Sequence, residues 1–201
     1  MPTNSLQLVA AWPDREPARQ LAERTGGVCL EATSVETSHL PFAALAIVVT
    51  DELDELLGSD PLGVWLVCER TFKGAPLSAY TEHQIPGAVA IYPMVAHADL
   101  SPAAADQHWR DRHAPLALEV HKVMTHYHQL AVLHVFKGPA WNGIALCCAQ
   151  SAADLRDRFF DTPAGERAIA ADVSRFADTK RSPRRVIARV SNLGPRGSND
   201  G

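Results

Sequence analysis

The sequence predicts an α+β fold in which one order of elements, β-α-β-β-α-β, occurs twice along the chain. Two observations support this prediction. Apolar, β-branched segments of strand length alternate with helical segments in the same order in each half. A stretch rich in glycine, proline and polar residues, 72–86, separates the halves and is interpreted as a connector. We therefore divide the chain into two modules, 1–86 and 87–201.

The first half contains four strand-like and two helical segments. The helical segments are 17–24, which ends at Gly26 and Gly27, and 51–57, an acidic segment that ends at Gly58. Glycine often follows the last turn of a helix because it adopts the left-handed conformation that ends the helix. The predicted strands are 6–12, 28–35, 41–50 and 64–71.

The second half repeats this order, and the start of its first helix is well marked. The Ser101 side chain can accept a hydrogen bond from a free backbone N–H, and Pro102 suits the first helical position. Residues 151–178 are predicted to be helical, with a break at 162–165. The predicted strands are 87–94, 124–136, 144–150 and 185–190.

One β-α-β-β-α-β module forms a four-stranded antiparallel sheet with both helices on one face, the ferredoxin-like arrangement. The other face is apolar and has to be covered. Two modules in one chain can cover each other. Residues 1–86 hold 12 acidic and 5 basic residues and residues 87–201 hold 11 and 14, so the halves are electrically complementary. We therefore expect two tandem ferredoxin-like modules that close into one α+β barrel.

Composition excludes several classes of protein. The chain is 46% hydrophobic and 21% charged, as expected for a globular protein, and its apolar runs are too short to span a bilayer. No secretory signal is visible, so we expect a cytoplasmic protein with no membrane partner. The four cysteines show no C-x-x-C spacing. The basic cluster 180–185 has no interleaved aromatic residues, so no nucleic-acid partner is expected.

The most informative segment is an apolar stripe that contains a histidine. Four residues at i, i+4, i+7 and i+11 share one face of a predicted helix: Trp109, His113, Leu116 and Val120. His113 is therefore either a hydrogen-bonded core residue or a chemical group of a pocket. Pro115 should kink the helix near His113 because proline removes a helical hydrogen bond. His108 and His121 lie off this face and are expected to be solvated.

The following strand is rich in histidine, and six of the nine histidines lie between positions 108 and 134. Alternation along 124–136 places His126, His128 and His134 on one face and Tyr127 on the other. Two imidazoles two residues apart on a strand could also bind a metal, an alternative that rests on spacing alone.

The run His108-Trp-Arg-Asp-Arg-His113-Ala-Pro-Leu116 resembles the signature of the EthD-like family, in the dimeric α+β barrel superfamily. Tyr127 on the next strand agrees with this resemblance. So does the segment 172–178, which looks like the family's late Asp-x3-Phe element. The resemblance covers roughly residues 87–190.

The chain also departs from this pattern. Ala105 stands where the family usually has phenylalanine, and Ala96-His97 replaces a basic residue that is common there. The first half has no Trp-x3-His motif. We interpret it as a degenerate module that supplies barrel wall and no second active site.

The resemblance implies a pocket between the sheet and the first helix, usually without metal or organic cofactor. Its expected occupant is a small hydrophobic or aromatic substrate. Relatives in the superfamily include polyketide cyclases, lactone isomerases, oxygenases and dehydratases, and the fold does not choose among them.

Our preferred interpretation is a cofactor-independent lyase, isomerase or cyclase that acts on an aromatic or polyketide-like molecule. His113 is the predicted general acid or base, and Tyr127 and His128 are predicted to stabilise a substrate oxygen. The residues predicted to contact the substrate are Trp109, Arg112, Leu116, Val120, His126 and His134.

Three alternatives stay open. The protein could be a non-catalytic small-molecule-binding protein, a metal- or haem-dependent oxygenase, or a catalytically inactive pseudo-dimer. In each case we expect a monomer with an internal barrel or a homodimer of such barrels.

Overall fold

The computed structural model describes residues 4–77 and 86–193. Within these ranges the fold is mixed α+β. The strands are β1 (Asn4–Trp12), β2 (Val28–Ala32), β3 (Ala44–Val48), β4 (Gly63–Lys73), β5 (Ala88–Met94), β6 (His126–Lys137), β7 (Gly143–Ala149) and β8 (Val186–Leu193). The helices are α1 (Glu16–Thr25), α2 (Leu53–Gly58), α3 (Pro102–His108), α4 (Ala114–Val120), α5 (Ala152–Asp157) and α6 (Pro163–Val173).

The eight strands form a closed antiparallel barrel in the order β1-β3-β2-β8-β5-β7-β6-β4, with β4 pairing back to β1. The strands of each half are contiguous in this order. The halves therefore meet at two pairings, β2 with β8 and β4 with β6, which we call the two seams. This architecture agrees with the predicted α+β barrel.

The barrel interior is a packed apolar core to which all eight strands contribute. The indole rings of Trp65 and Trp141 stack there with centroids 4.3 Å apart. Trp65 Nε1 donates a hydrogen bond to the Pro139 carbonyl at 2.9 Å. Because buried indole N–H groups need a partner, this bond fixes the ring that fills the interior.

A buried polar cluster lies in the same interior, at the seam between β4 and β6. The Glu69 carboxylate accepts hydrogen bonds from Gln7 Nε2 at 3.0 Å, Thr71 Oγ1 at 3.0 Å and the Leu77 N–H at 2.9 Å. His128 Nδ1 lies 3.1 Å from Glu69 Oε1. Burial opposes ionisation of Glu69, but its hydrogen bonds with His128 and the Leu77 N–H keep the pKa of this carboxyl below its usual value.

Helices cover the outer faces of the barrel. α1 and α2 pack on the strands of the first half, and α3 to α6 pack on those of the second half. The predicted helix start is confirmed, because Ser101 Oγ accepts a hydrogen bond from the Ala104 N–H at 3.1 Å and Pro102 begins α3. No helix among the described residues has the length and hydrophobicity needed to cross a membrane.

Several predicted boundaries are wrong. β2 ends three residues earlier than predicted, and β4 continues to Lys73, into the predicted connector. Residues 78–85 of that connector lie outside the described residues. The predicted break at 162–165 is the start of α6, where Thr162 Oγ1 accepts a hydrogen bond from the Gly165 N–H at 3.0 Å.

The predicted alternation also fails in the second part of β6. The register with β4 shifts between Leu66 and Val67, so Leu133 stands between two paired positions as a bulge. His134 consequently pairs with Leu66, which packs on the outer face of the barrel, and not with the interior residues. His134 is exposed, in contrast to its predicted place beside His128.

Candidate active site

A cavity of about 280 Å³ lies between the outer face of β5, β6 and β7 and the helices of the second half. Two imidazoles, those of His113 and His121, line it. Its aromatic lining consists of Tyr92, Trp109, Tyr127, Phe159, Phe160 and Phe176. Apolar walls with a few polar groups are typical of sites for small, largely apolar molecules.

His113 is held by an aspartate. Its Nδ1 lies 2.9 Å from Asp172 Oδ2, near the end of α6. Because a carboxylate only accepts hydrogen bonds, this contact assigns the proton to Nδ1 and leaves the lone pair of Nε2 for the cavity. Burial lowers the pKa of His113, and Asp172 opposes that shift without cancelling it. His113 is therefore a neutral base at neutral pH.

Asp172 serves a second histidine as well. Its Oδ1 lies 2.8 Å from His108 Nε2. Phe176, one turn further along the chain, packs against both imidazoles, with ring centroids 5.3 Å from His108 and 5.1 Å from His113. The expectation that His108 is simply solvated is wrong, because this residue helps to fix the carboxylate that orients His113.

A π-helical turn, Trp109–His113, joins α3 to α4. The Ala114 N–H donates to the Trp109 carbonyl, five residues back, and the turn therefore contains one residue more than an α-helical turn. The extra residue moves the following positions around the helix axis. Ala117 and His121 line the cavity where Leu116 and Val120 were expected.

His121 is buried, with 3% of its surface exposed, and the expectation that it is solvated is wrong. Its Nδ1 lies 2.8 Å from the Phe159 carbonyl, which can only accept, so the proton resides on Nδ1. The ring stacks on that of Phe159 with centroids 3.9 Å apart. Burial lowers the pKa of His121 to about 4, which keeps the imidazole neutral over the physiological range.

Tyr127 lies on the outer face of β6, below the helices, and is almost fully buried. Its hydroxyl oxygen accepts a hydrogen bond from Gln129 Nε2 at 3.0 Å, and Gln129 Nε2 also donates to the Trp109 carbonyl at 3.0 Å. Burial raises the pKa of Tyr127, so this side chain is a phenol and can donate a hydrogen bond.

The structure separates His128 from the cavity. Adjacent strand residues point to opposite faces, so His128 enters the barrel interior while Tyr127 faces the helices. His128 contacts Glu69 there, and the His126 ring lies 6.2 Å from the His128 ring on the same face. Neither residue meets His113.

The other predicted contacts also lie elsewhere. Leu116 is half-buried among the helices, and Val120 packs beside Gly165 at the start of α6. Arg112 and His134 are exposed. Among the described residues no group of three or more histidine, cysteine or acidic side chains is arranged to hold a metal ion. The metal site suggested by His126 and His128 is thus not supported by the side chains around them.

Asp172 was not predicted to have a role, although it lies in the Asp-x3-Phe element that is part of the resemblance. Gln129 lies two residues after Tyr127, so strand alternation puts both on one face, but no role was predicted for it. His121 could not be found from helical spacing, because the π turn changes that spacing. Arg70, which contacts Gln129, was also not predicted. Its position inside a largely apolar strand is the feature of the sequence that could have indicated a role.

Comparison with known proteins confirms the resemblance for part of the chain, since residues 97–180 match the model of the EthD domain. A solved structure described as an anthrone oxidase-like protein superposes with a TM-score of 0.57 at 12% identity, over 94% of this chain and 91% of that one. A putative monooxygenase from Lactobacillus acidophilus NCFM gives a TM-score of 0.47 at 8% identity, over 94% and 93%. No curated protein matches. The first of these structures supports the dimeric α+β barrel fold.

Proposed function

We propose that the protein is an enzyme that moves a proton on a small hydrophobic molecule of aromatic or polyketide-like character, acting as a lyase, isomerase or cyclase. The observation that carries this proposal is the pairing of His113 with Asp172 at the wall of an apolar cavity. A neutral imidazole with a free Nε2 and a carboxylate on Nδ1 is the arrangement that general base catalysis requires.

The proposed step uses two side chains. His113 Nε2 takes a proton from a carbon or phenolic oxygen of the substrate, and the Asp172 carboxylate balances the charge of the imidazolium. The electron pair that remains moves onto a substrate oxygen, to which the Tyr127 hydroxyl donates a hydrogen bond. The imidazolium then returns the proton to another substrate atom in an isomerisation, or to a leaving hydroxyl in an elimination.

His121 has a different role in this proposal. Because its Nδ1 is committed to the Phe159 carbonyl, its Nε2 is an acceptor for a substrate hydroxyl. Among the described residues no carboxylate contacts this ring to support a positive charge, so His121 binds and orients the substrate and His113 moves the proton.

We also propose that the chain consists of two ferredoxin-like modules, 1–86 and 87–201, with the cavity in the second. The strand orders β4-β1-β3-β2 and β8-β5-β7-β6 in the barrel correspond when each half is numbered from its own first strand, which supports this division.

The experiment follows exchange of deuterium from D2O into enolisable aromatic ketones by NMR. Anthrone and 2-tetralone are suitable probes, since a structural relative is described as anthrone oxidase-like. We expect the wild type to raise exchange above the buffer background and His113→Gln to lose at least a hundredfold of that rate. His39→Gln, at an exposed position, is the matched control.

The same reactions separate the alternatives. Exchange that persists in His113→Gln contradicts the assignment of the base. Binding of the ketones without exchange, with equal affinity in His113→Gln, supports a binding protein. Oxygen uptake recorded in parallel detects an oxygenase.

A further inference from the structure

On the outer face of the seam between β4 and β6, a buried cation of the first half reaches into the second. Arg70 Nη2 contacts both carboxylate oxygens of Asp106, at 2.7 and 2.8 Å, and Nη1 donates to Gln129 Oε1 at 3.3 Å. The Arg70 side chain is 8% exposed. The first half thus contributes a charged group directly behind the cavity wall.

Arg70 and the Trp109 carbonyl together determine which way the Gln129 amide points. A guanidinium can only donate hydrogen bonds, so the oxygen of the amide has to face Arg70 and the NH2 group has to face away. Both N–H groups then have acceptors, the Trp109 carbonyl and the Tyr127 hydroxyl oxygen, each 3.0 Å from Nε2. Without the cation, only the Trp109 carbonyl would oppose a half-turn of the amide that presents its oxygen to Tyr127.

The orientation of the Gln129 amide in turn determines whether the Tyr127 hydroxyl donates or accepts a hydrogen bond in the cavity. A phenol oxygen that receives an N–H keeps its own hydrogen for another acceptor. Tyr127 lines the cavity, so that acceptor is an oxygen of the bound molecule. With the amide reversed, the phenol hydrogen would point at Gln129 Oε1 and the cavity would lose its donor.

We propose that Arg70 is a positioning residue of the cavity, which acts through Gln129 to make Tyr127 a hydrogen-bond donor toward carbonyl oxygens of bound molecules. This inference deepens the proposed function. It depends on that function only where it concerns the reaction, because hydrogen-bond donation by Tyr127 can be measured from ligand binding alone. The first half then takes part in the site of the second half.

The test compares two ligands of equal shape, 2-acetylnaphthalene and 2-isopropenylnaphthalene, which differ in having a carbonyl oxygen or a methylene group. Affinities are measured by fluorescence, and the carbonyl stretch of bound, 13C-labelled 2-acetylnaphthalene by infrared spectroscopy. We expect the wild type to prefer the ketone by about fivefold, the value of one net hydrogen bond, and to shift its carbonyl stretch to lower frequency.

Arg70→Met and Tyr127→Phe should both abolish the preference and the frequency shift, while affinity for the hydrocarbon changes less than twofold. Arg70→Lys should retain them, because lysine is also only a donor. Gln129→Glu leaves Arg70 beside Asp106 and places only acceptor oxygens next to Tyr127, so the phenol hydrogen should turn away from the cavity and the same loss should follow. This variant keeps the proposal testable if Arg70→Met does not fold.

The proposal is overturned if Arg70→Met and Gln129→Glu keep the preference and the frequency shift, or if the wild type has neither. Its failure is distinguishable from that of the proposed function. Loss of carbonyl recognition in these variants without any deuterium exchange by the wild type would support the positioning role and contradict the reaction.

Discussion

Two histidines line one cavity, and their partners give them different chemistry. His113 and His121 both donate from Nδ1 and leave Nε2 free, but His113 donates to a carboxylate and His121 to a backbone carbonyl. A carboxylate stabilises an imidazolium far more than a carbonyl dipole does. We therefore assign the proposed proton transfer to His113.

Replacing Asp172 with asparagine tests this difference. Because the carboxylate raises the pKa of His113 against the effect of burial, Asp172→Asn should lower that pKa further. Exchange of deuterium into anthrone should fall by at least tenfold. NMR titration of the His113 ring protons measures the first effect, and Asp99→Asn, at an exposed position, is the control. An unchanged titration of His113 in Asp172→Asn would contradict the orientation role.

The lowered pKa of His121 predicts a dependence of stability on pH. The imidazole has a usual pKa of 6.5 and a pKa of about 4 in the folded protein, so the unfolded chain binds the proton first as pH falls. Its contribution to stability is complete above pH 6.5 and is lost as pH falls toward 4. The loss amounts to about 2 to 3 kcal/mol at pH 4.5.

Urea unfolding of the wild type and of His121→Leu at pH 7.5 and 4.5 measures this effect. The wild type should lose more stability than the variant between the two pH values, by about that amount. Equal losses would show that His121 titrates normally in the folded protein. His121→Phe, which keeps the aromatic contact with Phe159, serves as a second comparison.

The elements show why part of the site was predictable and part was not. Residues up to the end of the π turn were found, because Trp109 and His113 are four residues apart and still share a face within that turn, and Tyr127 lies in the regular part of β6. Residues after an insertion were misplaced. The π turn substitutes His121 for Val120 at the cavity.

An inserted residue in β6 has the same effect on the predicted positions. The bulge at Leu133 moves His134 to the outer face. The periods of 3.6 residues for a helix and 2 residues for a strand hold only where no residue is inserted. Pro115 indicates that the helix is disturbed, but it does not show that the disturbance is a π turn. The order of helices and strands was predictable because it depends on the composition of whole segments. One inserted residue does not change that composition.

Packing of the π turn against β7 leads to a further prediction. A Cβ atom added to Gly143 would lie 2.4 Å from Trp109 Cζ3, so the indole occupies the space that a side chain would need. Gly143→Ala should displace Trp109 and weaken binding of both naphthalene ligands by tenfold or more. Gly58→Ala is the control, since nothing lies within 4 Å of its added Cβ. Unchanged affinity in Gly143→Ala would mean that Trp109 does not shape the cavity.

Charged contacts join the two halves at both seams. Glu31 of β2 contacts Arg189 of β8 at 3.3 Å, and Arg70 of β4 reaches Asp106 in the second half. Glu69 and His128 meet inside the barrel. The opposite net charges of the two halves thus correspond to specific side-chain pairs across the seams. Because both seams lie within one chain, the barrel closes without a second copy.

Separation of the halves tests how far each depends on the other. A chain of residues 1–86 or 87–201 alone exposes the apolar interior face of its strands and leaves either Glu69 or His128 without the partner it has in the barrel. An apolar face exposed to water is costly and favours association with other chains. We therefore expect each half to be aggregated or incompletely folded when expressed alone.

Co-expression of the two halves should restore a soluble one-to-one complex, detected by native mass spectrometry and circular dichroism. The complex should bind 2-acetylnaphthalene, and Arg70→Met in the first half should remove its preference for the ketone. A second half that alone forms a homodimer of equal stability would show that the barrel closes by apolar contact and needs none of the charged pairs. A homodimer that also retained the ketone preference would show that Arg70 can be dispensed with, because no arginine of the first half would be present to orient Gln129.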